Sequence, residues 1–288
     1  MSGCIKNTRR KPEWLKIKLP MGELAVGVNN LIKENNLHTI CTSGMCPNQG
    51  ECWGCGTATF MIGGDTCTRG CRFCNVNTGV PAPLDEAEPN HIAQSIKTLK
   101  VKHAVITSVD RDDLEDYGAN HWAKTIRAVK RINPTVTMEV LVPDFMGELK
   151  YVDKVIAEMP EVISHNMETT RSLTPSIRSK ATYDTSLKVL KHIADSGITA
   201  KSGIMLGLGE TEEEILQVMD DLLAAGVQVM TLGQYLQPTK ANVEVQEYIT
   251  PDKFKEYEEI GMEKGFAVVE SGPLVRSSYH AERHVLDN

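Results

Sequence analysis

The chain has 288 residues, of which 41% are hydrophobic, and its formal net charge at pH 7 is -7. This length and composition indicate an ordinary packed core. The acidic balance argues against general nucleic-acid binding, because proteins that bind phosphates usually present a net basic surface. No segment approaches the ~18 uninterrupted apolar residues of a membrane span, and residues 1–21 lack an apolar signal segment. We therefore expect a cytoplasmic protein that binds neither nucleic acids nor membranes.

An N-terminal extension is predicted for residues 1–56. Apolar residues recur at helical spacing over residues 22–36, which predicts one short helix. Residues 41–55 are rich in glycine, proline and asparagine without periodicity, so we predict an irregular loop that holds ligands. This loop contains a cysteine triplet spaced C-x4-C-x5-C and then one further cysteine, in the order Cys41, Cys46, Cys52 and Cys55.

Beyond residue 56, short β-branched or apolar runs alternate with helical segments, a pattern typical of βα units around a parallel sheet. The predicted strands span 57–62, 103–109, 135–142, 161–166, 199–206 and 227–235. The predicted helices span 89–99, 119–131, 147–158, 183–195, 212–225 and 251–264. Two signals support the helix limits: Gly197 and Gly226 stand where helices end, and Thr211 with Glu214 forms a capping box.

Six βα units are fewer than the eight of a closed TIM barrel, which typically has ~250 residues. We therefore predict an α/β fold in which residues 57–265 form a partial, open (β/α)6 barrel of the TIM type. Residues 266–288 begin with an apolar run and continue as a polar segment, which predicts a C-terminal extension. Both extensions are expected to cap the barrel.

A second cysteine triplet, Cys67, Cys71 and Cys74, is spaced C-x3-C-x2-C directly after the first predicted strand. Functional residues of such barrels gather on the loops that follow the strands. A long chain without a secretory signal favours reduced thiols that bind a metal or act in redox chemistry over disulfides. The spacing fits either a zinc site completed by a distant His or Cys or a four-iron cluster with one open iron. The earlier triplet also fits a zinc site, one that includes Cys55.

Polar residues at the strand ends are candidates for a site by position alone. Ser108 and Asp110 follow the second predicted strand, Asn166 and Glu168 follow the fourth, and Arg178 lies further along. The ordinary alternative is that these residues are helix caps and surface groups. The histidines carry no functional signal, and each is expected to be exposed or hydrogen-bonded in the core: His165, His192, His280 and His284.

The aromatic Phe73, directly before Cys74, makes this loop similar to the C-x3-C-x-aromatic-C motif of the radical S-adenosylmethionine superfamily. The resemblance implies a [4Fe-4S] cluster whose open iron is chelated by S-adenosylmethionine, which is cleaved to a 5′-deoxyadenosyl radical that abstracts hydrogen from an unactivated C–H bond. The residues that the resemblance makes candidates for binding this cofactor are Phe73, Ser108, Asp110, Asn166, Glu168 and Arg178.

A longer run resembles one family within that superfamily. The stretch from Cys41 to Cys74, the segments 166–169 and 235–239, and the tail motif Arg-Ser-Ser-Tyr-His-Ala at 276–281 are all similar to lipoyl synthases. This resemblance implies that Cys41, Cys46 and Cys52 hold an auxiliary [4Fe-4S] cluster whose fourth ligand is a serine. We expect Ser278 to be that ligand, with Ser277 as the alternative. By the same resemblance, Cys55 and Cys4 are expected to be free thiols.

The lipoyl synthase resemblance implies a reaction in which two sulfur atoms are inserted at C6 and C8 of an octanoyl chain amide-linked to a lysine. Two S-adenosylmethionine molecules are consumed, and the auxiliary cluster is the sulfur donor. The implied partners are octanoylated lipoyl-carrier domains (2-oxoacid dehydrogenase E2 or glycine cleavage H protein), a reducing electron donor and an iron–sulfur carrier. The alternatives are another sulfur-inserting or methylthio-transferring radical enzyme, or a zinc-binding adaptor without catalysis.

Overall fold

A mostly parallel β-sheet forms the centre of the chain, and the computed structural model describes residues 11–16, 23–54 and 58–286. The strands are β1 (His38–Thr39), β2 (Phe60–Ile62), β3 (Thr66–Cys67), β4 (Asn77–Thr78), β5 (His103–Ser108), β6 (Thr137–Leu141), β7 (Val162–Ser164), β8 (Thr199–Leu206), β9 (Val229–Gln234) and β10 (Val268–Gly272). The first residue of the first predicted strand lies outside the described residues, as do Cys4 and Cys55.

Helices connect most of these strands. They are α1 (Glu23–Glu34), α2 (Ile40–Ser43), α3 (Gln49–Gly54), α4 (Glu88–Thr98), α5 (Ala119–Ile132), α6 (Leu149–Ile156), α7 (Thr174–Ile177), α8 (Tyr183–Asp195), α9 (Glu212–Ala224) and α10 (Pro251–Lys264). Short 3-10 turns cover Glu13–Leu15, Phe145–Gly147 and Ala281–His284. Among the residues described, none of the helices combines the length and apolar character that a membrane crossing requires.

The main sheet has eight strands in the order β1-β2-β5-β6-β7-β8-β9-β10. Strand β1 is antiparallel to β2, and the remaining neighbours are parallel. Within the part of the chain that the structure describes, no pairing joins β1 to β10, so the sheet is open. The prediction of a partial, open barrel is therefore confirmed, and its six strands are β2 and β5 to β9. One strand from each extension lengthens the sheet, and β3 pairs with β4 separately.

The two faces of the sheet follow from the two-residue period of a strand. Alternate residues of four strands line one cavity, which shows that the sheet curves around it: Val105 and Thr107, Glu139 and Leu141, Gly203 and Met205, Thr231 and Gly233. The intervening residues of β5 and β6 belong instead to the apolar core shared with the outer helices: Ala104, Ile106, Met138 and Val140. Helix α5 contributes Trp122 and Ile126 to that core.

The helix signals read from the sequence are confirmed. Thr211 and Glu214 form a reciprocal capping box at the start of α9. Gly197 and Gly226 both have φ of 84°, the left-handed conformation that ends a helix and favours glycine.

The prediction of an irregular loop over residues 41–55 is wrong, because two short helices, α2 and α3, lie there. Thr39 caps α2 by accepting a hydrogen bond from the backbone N–H of Thr42. Helices of four to six residues are too short to show a 3.6-residue period, so periodicity could not reveal them. Cys41 and Trp53 pack against Val28 of α1 in a small separate apolar cluster.

Candidate active site

A cavity of about 320 Å³ lies inside the curve of the sheet. The cysteine loop, the strand ends, the N-terminal extension and the C-terminal tail all contribute to its wall. It brings together most of the residues that the sequence predicted for the site: Cys41, Cys46, Cys67, Cys71, Phe73, Cys74, Ser108, Asp110, Asn166, Glu168, Ser277 and Ser278. Cys52 and Arg178 are not among the residues that line it.

The cysteine loop supplies sulfur atoms that already accept backbone hydrogen bonds. Sγ of Cys67 accepts from the N–H groups of Arg69 at 3.4 Å and Asp110 at 3.3 Å, and Sγ of Cys74 accepts from Val76 at 3.5 Å. Burial raises the pKa of Cys67 to about 12 and that of Cys74 to about 11. Because these pKa values lie well above neutral pH, the thiols keep their protons in the metal-free chain. Metal ligands must be deprotonated, so binding of a metal would release these protons.

The donor set of this loop fits an iron–sulfur cluster. The charge of Cys71 acts on Cys74, and the charge of Cys74 acts on Cys67, so the three thiols are electrostatic neighbours. Cysteine thiolates are the usual protein ligands of iron–sulfur clusters, and three of them leave one iron of a four-iron cluster open. Within the described ranges, no three His, Cys, Asp or Glu side chains form a group that could hold a single metal ion.

Arg69, between the first two cysteines of the loop, fixes the loop to the strand ends. Its guanidinium is 3% exposed and lies 2.8 Å from Asp112, 2.8 Å from Asp144 and 3.3 Å from Asp110. Although burial opposes it, hydrogen bonding to Arg69 holds the pKa of Asp112 and of Asp144 below the usual range. Sequence reasoning missed this role, and its only signal was an arginine inside a cysteine motif.

The cysteines of the earlier triplet lie on or between the two short helices, with Cys41 on α2, Cys52 on α3 and Cys46 in the segment between them. Burial raises the pKa of Cys41 and of Cys46. The charge of Arg276 acts in the opposite direction on Cys46, and Tyr279 of the tail feels the charge of Cys52. The side chain of Asn48 also donates a 2.7 Å hydrogen bond to the carbonyl of Leu274, which ties the N-terminal extension to the tail.

The two tail serines differ in their contacts. The hydroxyl of Ser277 donates to Oδ1 of Asn166 at 3.2 Å. Ser278 lines the cavity, and the described residues provide no hydrogen-bond partner for its hydroxyl. The hydroxyl of Ser278 is therefore the one left available to a ligand in the cavity.

Glu168 is held in an unusual conformation at the cavity wall. Its φ of 67° lies in the left-handed region, which costs a non-glycine residue energy and often marks a functional position. Backbone bonds to β8 hold it there, because its N–H donates to the carbonyl of Gly203 and its carbonyl accepts from Met205. Burial raises the pKa of Glu168, and the charge of Arg178 opposes that shift.

Arg178 does not line the cavity, but its charge acts on residues that do. Its guanidinium donates to Oγ of Ser186 at 2.8 Å and to the carbonyl of Met167 at 3.4 Å. Burial raises the pKa of Asp110, and Arg178 is one of the cations that oppose this effect. Arg178 therefore lies behind the wall, where its charge acts on Glu168 and Asp110.

The histidines are either buried inside the protein or partly exposed at its surface. His165 is buried with both ring nitrogens hydrogen-bonded, to the carbonyl of Val142 and to the hydroxyl of Ser186, each at 2.9 Å. His192 is partly exposed and pairs with Asp153. His284 is fully buried inside the barrel beside Lys201, a placement that no local pattern in the sequence indicates.

Comparisons with known proteins identify relatives over nearly the whole chain. Residues 61–222 match the family model described as the Radical SAM superfamily. Lipoyl synthase of Treponema denticola is 65% identical over 285 residues, which cover 99% of this chain and 98% of the relative. The lipoyl synthases of Porphyromonas gingivalis (strain ATCC 33277) and Bacteroides thetaiotaomicron are 64% and 60% identical, each over 96% of this chain and 98% of the relative.

Solved structures show the same fold at low sequence identity. Streptococcus suis SuiB bound to S-adenosylmethionine has a TM-score of 0.59 at 12% identity, over 73% of this chain and 48% of that chain. Methylornithine synthase (PylB) has a TM-score of 0.52 at 14% identity, over 76% of this chain and 69% of that chain. Together with the family match and the nearly full-length relatives, these likenesses lead to the conclusion that the chain belongs to the lipoyl synthase family, within the radical S-adenosylmethionine superfamily.

Proposed function

We propose that the chain inserts two sulfur atoms at C6 and C8 of an octanoyl-lysyl group on a lipoyl carrier, consuming two S-adenosylmethionine molecules. As a member of its family it is a radical S-adenosylmethionine sulfurtransferase that acts on lipoyl-carrier proteins. One observation supports the proposed insertion of two sulfur atoms. Thiols of both cysteine triplets and the serine pair of the tail line a single cavity. A radical formed at one wall and a sulfur source at the other would thus share one enclosed space.

In this proposal Cys67, Cys71 and Cys74 hold the first [4Fe-4S] cluster, and Cys41, Cys46, Cys52 and Ser278 hold the second. Bound there, the first cluster with S-adenosylmethionine supplies the 5′-deoxyadenosyl radical, and the second supplies sulfide. The chain's own part is to orient these groups. Arg69 holds the loop in place, and backbone N–H groups donate to the sulfurs of Cys67 and Cys74. Such hydrogen bonds are one means by which a protein sets a cluster's potential.

Polar residues at the strand ends are proposed to bind S-adenosylmethionine. Four of them line the cavity, together with the aromatic Phe73 of the cysteine loop: Ser108, Asp110, Asn166 and Glu168. The fixed, left-handed backbone of Glu168 supports a role for its carboxylate in accepting from the amino group or the ribose hydroxyls. Arg178 is proposed to act through Glu168, since its guanidinium bonds to Ser186 and Met167 behind the wall.

Apolar side chains make up much of the cavity wall. They suit an octanoyl chain, which gains from leaving water, and a radical, which needs water and reactive groups to be excluded. The residues are Met61, Val76, Val105, Val109, Leu141, Ile204 and Met205. Carrier domains of 2-oxoacid dehydrogenase E2 or glycine cleavage H protein, an electron donor and an iron–sulfur carrier remain the proposed partners.

We also propose that the chain has three functional parts. Residues 1–56 carry the auxiliary cysteines, residues 57–265 form the radical barrel, and residues 266–288 carry the serine ligand. The addition of β1 and β10 to opposite edges of the sheet supports a division in which both extensions build on the barrel.

An anaerobic assay with an octanoylated lysyl peptide tests the proposal. We expect 5′-deoxyadenosine together with a peptide that has gained two sulfur atoms, from a protein with about eight irons per chain, four for each cluster. A colourless protein that contains zinc without iron or sulfide would instead support the adaptor. Formation of 5′-deoxyadenosine with a methylthiolated product would support a methylthio-transferring enzyme.

A further inference from the structure

Lys201 on β8 lies on the same strand face as the cavity residues Gly203 and Met205, deeper inside the barrel. Its ammonium donates to Oε1 and Oε2 of Glu139 at 2.8 and 2.7 Å and to Nδ1 of His284 at 2.9 Å. It also donates to the backbone carbonyl of Ser277. The side chains of Lys201, Glu139 and His284 are all 0% exposed.

The cost of burying these charges indicates that they do more than stabilise the fold. Removing an ammonium and a carboxylate from water is expensive, and apolar residues of similar volume often stabilise a protein as well or better. An ammonium has three N–H groups, and here they are directed at one carboxylate of the barrel and at two groups of the tail. Lys201 therefore links the tail to the interior of the barrel.

The tail between β10 and the last 3-10 turn has little regular structure of its own. Its backbone bonds are local turns, such as Val275 to Gly272 and Tyr279 to Arg276. The carbonyl of Ser277, which Lys201 holds, shares one planar peptide unit with the nitrogen of Ser278. Fixing that carbonyl therefore fixes the direction in which the backbone enters Ser278.

We propose that Lys201, held by Glu139 and His284, is a positioning residue for the serine segment. It holds the peptide unit between Ser277 and Ser278 against the barrel interior and so sets where the hydroxyl of Ser278 stands in the cavity. The claim that Lys201 holds the tail rests on the contacts of Lys201 and does not depend on the proposed function. The effect on the auxiliary cluster rests on the proposed function, in which Ser278 is a ligand.

A double variant, Lys201→Met with Glu139→Gln, tests the positioning without leaving an unpaired buried charge. The control is Glu88→Gln with His121→Asn, a pair that is also buried and hydrogen-bonded at 2.6 Å, on the helices α4 and α5 outside the sheet. Hydrogen exchange is measured by mass spectrometry on the anaerobically purified proteins. We expect amides of residues 273–286 to exchange on the order of tenfold faster in the Lys201 variant, and at the wild-type rate in the control.

A second readout separates positioning from simple stabilisation. In a background with Cys67→Ala, Cys71→Ala and Cys74→Ala, the auxiliary cluster is the sole cluster, and its EPR signal after reduction reports its ligands. We expect the Lys201 and Glu139 changes to alter that signal in the same direction as Ser278→Ala. Faster tail exchange with an unaltered signal would overturn the positioning role, and so would unchanged tail exchange.

If the double variant does not fold, His284→Leu decides the question, because it keeps the Glu139 and Lys201 pair and removes only the tail's side chain. The same faster exchange is expected, and exchange at the wild-type rate would overturn the proposal. A failure of the proposed function is visible separately. The cysteine-to-alanine parent would then carry no cluster, while the tail exchange would still report the contacts of Lys201.

Discussion

The guanidinium of Arg69 donates two hydrogen bonds to the carboxylate of Asp112, at 2.9 Å from Nε and 2.8 Å from the terminal nitrogen. This bidentate pair joins the cysteine loop to the segment after β5. Bidentate hydrogen bonds of this kind fix the orientation of the two side chains as well as the distance between them. The position of the cysteines is thus set by a buried charge network, with Asp144 and Asp110 as its other members.

Arg69→Met is expected to lower the free energy of unfolding of the metal-free chain by about 3–5 kcal/mol, since it leaves the buried carboxylate of Asp144 without its cation. Arg127→Met is the control: its exposed pair with Glu158 should contribute no more than about 1 kcal/mol. Guanidinium chloride unfolding measures both values. The loss for Arg69→Lys should lie between these two values, because lysine keeps the charge but cannot donate the two parallel hydrogen bonds of a guanidinium. Equal losses for Arg69→Met and Arg127→Met would show that the network does not hold the loop.

Ser278→Ala is expected to impair the auxiliary cluster while the cluster at Cys67, Cys71 and Cys74 still cleaves S-adenosylmethionine. Iron should fall from about eight toward about four per chain, and lipoyl formation should be lost. The matched control is Ser277→Ala, because that hydroxyl is already bonded to Asn166. Iron analysis and 5′-deoxyadenosine formation measure the two effects. Wild-type iron content and lipoyl formation in Ser278→Ala would exclude Ser278 as the ligand.

Burial of His165 predicts a loss of stability in mild acid. Burial lowers its pKa from 6.5 to about 4, and Arg178 adds to the shift. The folded state therefore binds fewer protons than the unfolded state below pH 6.5, so the contribution present above pH 6.5 is lost as pH falls toward 4. The slope from this one group is at most ~1.4 kcal/mol per pH unit.

The matched pair of variants for this pH effect is His165→Gln and the surface change His192→Gln. Urea unfolding between pH 7 and pH 4 should show a shallower decline in stability for His165→Gln than for wild type. His192→Gln should keep the wild-type slope, since that ring lies at the surface of α8. An equally steep decline in all three proteins would assign the acid sensitivity to other groups.

Gly203 should not tolerate a side chain. A Cβ there would lie 2.2 Å from Oγ1 of Thr231 and 3.0 Å from its carbonyl oxygen. Gly203→Ala is therefore expected to destabilise the protein by about 1–3 kcal/mol, as overpacking does. Adding Thr231→Ala should restore part of the loss. In contrast, Gly27→Ala in α1 meets nothing within 4 Å and should stabilise by about 0.5–1 kcal/mol. Thermal melts of these variants rank the effects, and a neutral Gly203→Ala would contradict this close approach.

The regular elements were readable from the sequence because their patterns are long. The spans predicted for β8, α8 and α10 match the structure residue for residue. The two-residue strand β1 and the short helices α2 and α3 were not predicted, since neither the strand nor the helix period is visible over so few positions.

The residues of the site also fall into a group that the sequence predicted and a group that it did not. Cysteine spacing and strand ends predicted most of the cavity wall, because ligands crowd into short motifs and functional residues follow strands. The group formed by Glu139, Lys201 and His284 could not be predicted. Its members come from three distant segments, and each alone is an ordinary polar residue. Only the folded barrel brings their charges together, and only there does the burial of all three become apparent.

The wall of the cavity runs from Cys41 in the N-terminal extension to Ser278 in the tail. A ribosome makes the N-terminal part first, at ~5–20 residues per second, so the roughly 200 residues after Cys74 take roughly 10–40 s. All the cysteines of the wall therefore emerge well before the serine segment. The order of translation thus makes the serine segment the last part of the wall to arrive.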